Sequence, residues 1–181
     1  MFRMPSRSSI FNFEVVLLVA CLLSPAACKR ESNVRSAAMQ NARGPLINVA
    51  DPHVASRLVK GFYGAENPYW RWTARESSII LNPPGGADQR GAVLVLNLAI
   101  VQAVLASVKS MDLSIAVGGF ALPVQHYDKA GQFTLRLDVP AAALQFDPVR
   151  VDFTLDTALP PSPVDPRELG MIVSQAGLES K

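Results

Sequence analysis

Five aromatic side chains crowd into eleven residues of this chain: Phe62, Tyr63, Tyr69, Trp70 and Trp72. Flat rings with a polar edge suit stacking on a sugar ring, and they suit a protein core equally well. If the segment is a strand, Trp70 and Trp72 share one face, and Tyr69 and Arg71 share the other. The ligand-binding reading takes Tyr63, Tyr69, Trp70 and Arg71 as candidates. Tyr69 and Arg71 are the better contacts, because the tryptophan pair is expected inside. The competing reading puts Phe62 and Trp72 in the core with Arg71 lying over a ring.

A second constellation is Asp165-Pro166-Arg167-Glu168-Leu169-Gly170. Asp165 can cap a turn, Arg167 can pair with a carboxylate or touch a ligand, and Gly170 permits a bend. Asp152 and Asp156 share the polar face of one segment. Paired carboxylates can hydrolyse glycosides, but on a strand they more often form a solvated face. His53 and His126 stand alone, and no His/Cys spacing assembles a metal cage. The sequence has no Gly-x-Ser-x-Gly elbow, no Ser-x-x-Lys, no P-loop and no Gly-x-Gly-x-x-Gly. These patterns assign no catalytic residue, metal or cofactor, and the expectation is a non-enzyme.

The N-terminus reads as an address. Arg3 and Arg7 precede the apolar run Val15 to Leu23, and Ser24-Pro25-Ala26-Ala27-Cys28 follows with small residues. This is the layout of a secretory signal, with a core too short to span a bilayer permanently. Its end resembles a bacterial lipoprotein signal, in which a cysteine after the cut receives lipid. Cys28 fits that place, although Pro25 stands where the pattern has Leu. Leu18-Val19-Ala20-Cys21 matches the box better but would leave Leu22-Leu23 on the mature side. Cys28 is the expected lipidation site and Cys21 the alternative. Plain secretion after Ala26 or Ala27, to the periplasm or beyond, is the remaining outcome. Both cysteines belong to the signal region, so no disulfide staples the mature body.

Length and charge bound the rest. The 181 residues make room for one ordinary domain. Lys+Arg is 17 and Asp+Glu is 15. Without Arg3, Arg7 and Glu14, 15 basic and 14 acidic residues remain. That balance excludes a dedicated nucleic-acid binder. The expected organisation is a signal at 1–27, a flexible tether at 28–50 and a folded domain at 51–181.

Within the domain, Asp51-Pro52 starts a short helix that Gly61 stops. Then the hydrophobic period changes to two. Strands are expected from Trp70 to Thr73, from Ser78 to Leu81, and from Leu113 to Val117, with a Gly118-Gly119 hairpin leading into Phe120 to Tyr127. Further strands run from Phe133 to Val139, Val149 to Leu155 and Met171 to Leu178. Ala92 to Val108 is apolar apart from Asn97, Gln102 and Ser107. A membrane span is possible by length, but mid-bilayer amides are costly. The segment is read as a strand buried on both faces, Ala92 to Ala99, followed by a helical turn. About eight short strands with turns between them imply an all-β fold, an antiparallel β-sandwich resembling a jelly roll, with one short N-terminal helix.

Gly61-Phe62-Tyr63, Arg71-Trp72-Thr73 and Asp165-x-Arg167-x-Leu169-Gly170 together resemble motifs of small bacterial β-sandwich domains. Such domains recur in exported lipoproteins and beside carbohydrate-active proteins, notably glycosyltransferases. The resemblance covers about Leu58 to Leu178. It implies a sandwich in a cell-envelope or glycan context and transfers no catalytic residue. The expected protein is therefore held to a membrane by its lipid, with glycan or an envelope protein as partner. A purely structural or protein-interaction lipoprotein is the alternative.

Overall fold

Strand-forming periodicity dominates the described part of the chain. A computed structural model describes residues 46–181. The signal segment, Cys21, Cys28 and the tether up to residue 45 lie outside the described residues.

Ten strands form one antiparallel, curled sheet. They are β1 (Leu46–Asn48), β2 (Leu58–Phe62), β3 (Arg71–Leu81), β4 (Ala92–Ile100), β5 (Met111–Val117), β6 (Phe120–Ala121), β7 (Gln125–Tyr127), β8 (Gly131–Val139), β9 (Val149–Leu155) and β10 (Ile172–Ser180). The main order is β6-β5-β9-β3-β10-β4-β8, with β1 on β10, β2 on β3 and β7 on β5. β3 makes the turn between the two halves. Its Arg71 and Trp72 pair with β10, whereas Glu76 to Leu81 pair with β9. One long strand thus belongs to both halves of the curl.

The alternating patterns explain which faces meet. Leu94, Leu96, Leu98 and Ile100 of β4 are buried, as are Met111, Leu113, Ile115 and Val117 of β5. Val149, Val151, Phe153 and Leu155 of β9 join them, and all belong to one hydrophobic cluster. Period-two alternation sends these side chains to one face and the polar neighbours to the other. β4 is flanked by β10 and β8 along its whole length, so Ala92 to Ala99 is the strand expected, but only one of its faces is fully buried: Val93, Asn97 and Ala99 on the other are half-buried. It lies one strand in from the edge strand β8. The helical turn after it is Gln102–Val108. Among the described residues, no helix is long and apolar enough to cross a membrane.

Several local expectations differ. The helix expected after Asp51 is a 3-10 turn, Pro52–Arg57. Asp51 does cap it, its carboxylate accepting from the His53 N–H at 2.9 Å. The chain turns extended at Leu58, because β2 has β3 to pair with. Gly61 does not stop a helix but sits within β2 at φ +69°, where a Cβ would come within 1.9 Å of the Glu76 carbonyl oxygen. The two strands expected around Trp72 and Ser78 are one strand, since β10 and β9 take successive stretches of it. The Gly118-Gly119 hairpin joins Val117 to its partner Phe120, but the return is broken into β6 and β7 around Pro123, which has no N–H to give. β1 falls within the segment expected to be tether. Ile47 and Val49 are buried there, and β10 supplies the pairing.

Candidate functional site

The four aromatic and basic candidates separate into two places. Tyr63 and Arg71 are engaged in holding the chain together. The Tyr63 hydroxyl donates to the Glu168 carbonyl at 2.9 Å, and the Arg167 guanidinium lies 5.4 Å from the Tyr63 ring centre. Arg71 donates from Nε to the Val49 carbonyl at 2.6 Å and from Nη1 to the Tyr63 carbonyl at 2.9 Å. Arg71 therefore clasps the exit of β1 to the end of β2.

Arg167 is the hub of a neighbouring corner. It donates to both Asp165 oxygens, with Nη2 to Oδ2 at 2.8 Å, and its Nη1 reaches Glu66 at 2.6 Å. The guanidinium bond holds the Asp165 carboxyl down at about 2. The two carboxylates in turn hold the Arg167 guanidinium well above its ordinary range. This is the structural corner that the Asp-x-Arg motif permits, built as a bidentate pair.

Tyr69 and Trp70 go elsewhere. They precede β3, in a turn closed by an Asn67–Trp70 bridge and by the Tyr69 N–H donating to Asn67 Oδ1 at 2.8 Å. Strand alternation therefore does not reach Tyr69, and both side chains line the same groove. Tyr69 is 71% exposed. Trp70 packs edge-on to Trp72, centroids 6.3 Å apart at 89°, and Trp72 in turn lies half-buried against the core.

The groove has a volume of about 710 Å³ and is lined also by Asn97, Ala99, Gln132, Thr134, Ile172 and Ser174. Thr134 and Asn97 of its floor begin a row of polar side chains that continues beyond the groove across four strands. Thr134, Asn97, Gln175 and Asn48 are directly paired from β8 through β4 and β10 to β1. Directly opposed residues in antiparallel strands share a face. The Thr134 hydroxyl donates to Asn97 Oδ1 at 2.8 Å, and the Asn97 amide donates to Gln175 Oε1 at 2.8 Å. At the far end the Asn48 amide donates to the Pro68 carbonyl at 3.0 Å, in the loop that carries Tyr69 and Trp70. The loop of the aromatic rim is thus tied by a hydrogen bond to the far end of the polar row. Among the described residues, no charged side chain lines the groove.

The row was not among the sequence candidates. Asn97 stands out in the sequence only as a polar break in an apolar strand. Its partners are found from register, which links residues 37 to 78 positions apart.

The other titratable candidates lie outside the groove. Asp152 accepts from the Ser78 hydroxyl at 2.5 Å and from Arg150 at 2.7 Å, while Asp156 accepts from the Asp112 N–H at 2.8 Å. Each is bound into the surface of β9 and its neighbours. His126 shares a 2.6 Å hydrogen bond with Asp112, which raises its pKa, with Asp128 and Asp156 adding to the effect. Among the described residues, no three His, Cys, Asp or Glu side chains gather as a metal site. No family model matches this chain, and no curated protein matches it either.

Proposed function

We propose that this protein is an exported, non-catalytic envelope lipoprotein, anchored through Cys28, whose β domain binds glycan in the groove between Tyr69, Trp70 and the amide row. The curl of the sheet is read here as a β-sandwich of jelly-roll type. The observation that carries the reading is the pairing of an exposed aromatic rim with uncharged hydroxyl and amide groups on a rigid floor. Sugars present an apolar C–H face and a hydroxyl edge, and such a groove offers a partner for each. Its size is that of small-ligand sites in general. Among the described residues, the lining supplies hydroxyls but no carboxylate, imidazole or amine to activate one, which favours binding over turnover.

The test is titration calorimetry of the purified chain against envelope polysaccharides and peptidoglycan fragments. Binding that Tyr69→Ala weakens about tenfold, with an unchanged melting curve, supports the reading. The absence of binding to any of them contradicts it. The anchor is tested separately: Cys28→Ser releases the protein to the soluble exported fraction, and retention on the membrane would refute the choice of cysteine.

The second reading is a protein-interaction lipoprotein. Phe146, 77% exposed, and Val164, 95% exposed, support it, because exposed large apolar side chains suit a partner surface. A Tyr69→Ala variant that behaves as wild type in the cell, while Phe146→Ser loses function, favours this second reading.

A further inference from the structure

We infer that the groove takes an uncharged sugar unit and rejects acidic sugars of the same size, an inference that rests on the glycan-binding reading above.

The lining sets which incoming groups can be satisfied. Tyr69, Trp70, Asn97, Gln132, Thr134 and Ser174 contribute rings, amides and hydroxyls, and none is ionised. Amides and hydroxyls both donate and accept, which matches a sugar hydroxyl that does the same. A carboxylate only accepts, and it loses hydration that must be replaced by a cation or several N–H donors. Three arginines on the neighbouring elements are already engaged. Arg136, two residues from Thr134 on the same face of β8, pairs with Glu179 at 2.8 Å. Arg71 holds the Val49 and Tyr63 carbonyls, and Arg167 holds Asp165 and Glu66.

The floor is also partly satisfied before any ligand arrives. The Asn97 amide and carbonyl oxygen are both used within the row. This fixes their orientation and leaves the outer groups to meet the ligand. On the edge strand Gln132 is exposed beside Thr134, its register partner being Ala99, whose small side chain leaves room above it. A pyranose ring lying flat against Tyr69 would present its hydroxyl edge to Gln132 and Thr134. The specificity-determining feature is that, among the described residues, no charged side chain lines that edge.

The experiment uses the full purified chain, with neutral oligosaccharides of glucose, galactose and N-acetylglucosamine set against oligogalacturonate and oligoglucuronate of the same length. Trp70 fluorescence and calorimetry report binding. The expected result is saturable binding of at least one neutral series, with its acidic counterpart about tenfold weaker or worse at low salt. Gln132→Ala, at an exposed position, should weaken the neutral ligand several-fold. Thr134→Arg, which adds a cation at the same edge, should narrow or reverse the preference. An acidic series that binds the wild type as well as its neutral counterpart overturns the inference and leaves glycan binding standing. Failure of every oligosaccharide to bind overturns the underlying reading as well. Binding that neither Gln132→Ala nor Tyr69→Ala alters places the site elsewhere and overturns the assignment.

Discussion

Asn48 in β1 donates its side-chain amide to the backbone carbonyl of Pro68, 20 residues away, at 3.0 Å. That bond attaches the loop bearing Tyr69 and Trp70 to the end of a polar row that begins at Thr134 on the opposite edge. Asn48 also receives the Ala50 N–H on Oδ1 at 2.9 Å, so its amide is held in orientation from both sides.

The first prediction concerns this joint. Asn48→Ala should cost about 1 kcal/mol of stability, the ordinary net worth of such a bond. It should also weaken glycan binding several-fold by freeing the loop, although Asn48 does not line the groove. Denaturant melts measure the first effect and calorimetry the second. A loss of stability with undiminished affinity would show that the loop holds its own shape.

The core makes two opposed predictions. Phe153 is fully buried in β9, and Phe153→Ala should destabilise by about 3–5 kcal/mol. Ser77, at 1% exposure, finds no hydrogen-bond partner for its hydroxyl among the described residues. Ser77→Ala removes that unsatisfied group at little loss of packing, so it should be neutral or stabilising by about 1 kcal/mol. Urea titrations of both variants decide the point, and a clearly destabilised Ser77→Ala would mean that the hydroxyl has a partner in solution.

Gly61 tests the junction between β2 and β3. At φ +69° a side chain is strained, and its Cβ would collide with the Glu76 carbonyl. Gly61→Ala should therefore lower the melting temperature more than Gly64→Ala, where nothing lies within 4 Å. Equal melting points would contradict the geometry at β2.

Two ion pairs set opposite pH dependences. Asp112 raises the pKa of His126 above its ordinary 6.5. The stability that this pair adds is full below 6.5 and is lost as pH rises through the folded-state value. Arg167 lowers the carboxyl of Asp165 from 3.8 to about 2. That contribution is present above about 3.8 and is lost as pH falls toward about 2. NMR titration should place His126 higher in wild type than in Asp112→Asn; coincident curves would contradict the pairing.

Much of this architecture can be read from alternation alone. β8 and β9 show period two over their whole length because each has one wet face, and Gly118-Gly119 has one favoured use between strands. Leu58 was misleading, because its spacing with Val54 and Ala55 imitates a helix while β3 dictates a strand. Tyr69 could be flagged by its chemistry but not oriented, since its position depends on the Asn67 turn and not on strand alternation. Arg71 drew attention as a cation among rings, yet it serves two carbonyls that lie far apart in sequence. The amide row was illegible for the same reason: Thr134, Asn97, Gln175 and Asn48 become neighbours through register across four strands.

Glycan binding is proposed for the groove beside Tyr69 and Trp70. Its most direct test is an NMR titration of the isotope-labelled full chain with a neutral oligosaccharide mixture derived from envelope polysaccharide. Saturable shifts are expected at the Trp70 indole N–H and at the side-chain amides of Asn97 and Gln132, with Phe146 and Val164 undisturbed. Shifts centred on Phe146 and Val164, or no shift at saturating sugar, would contradict it.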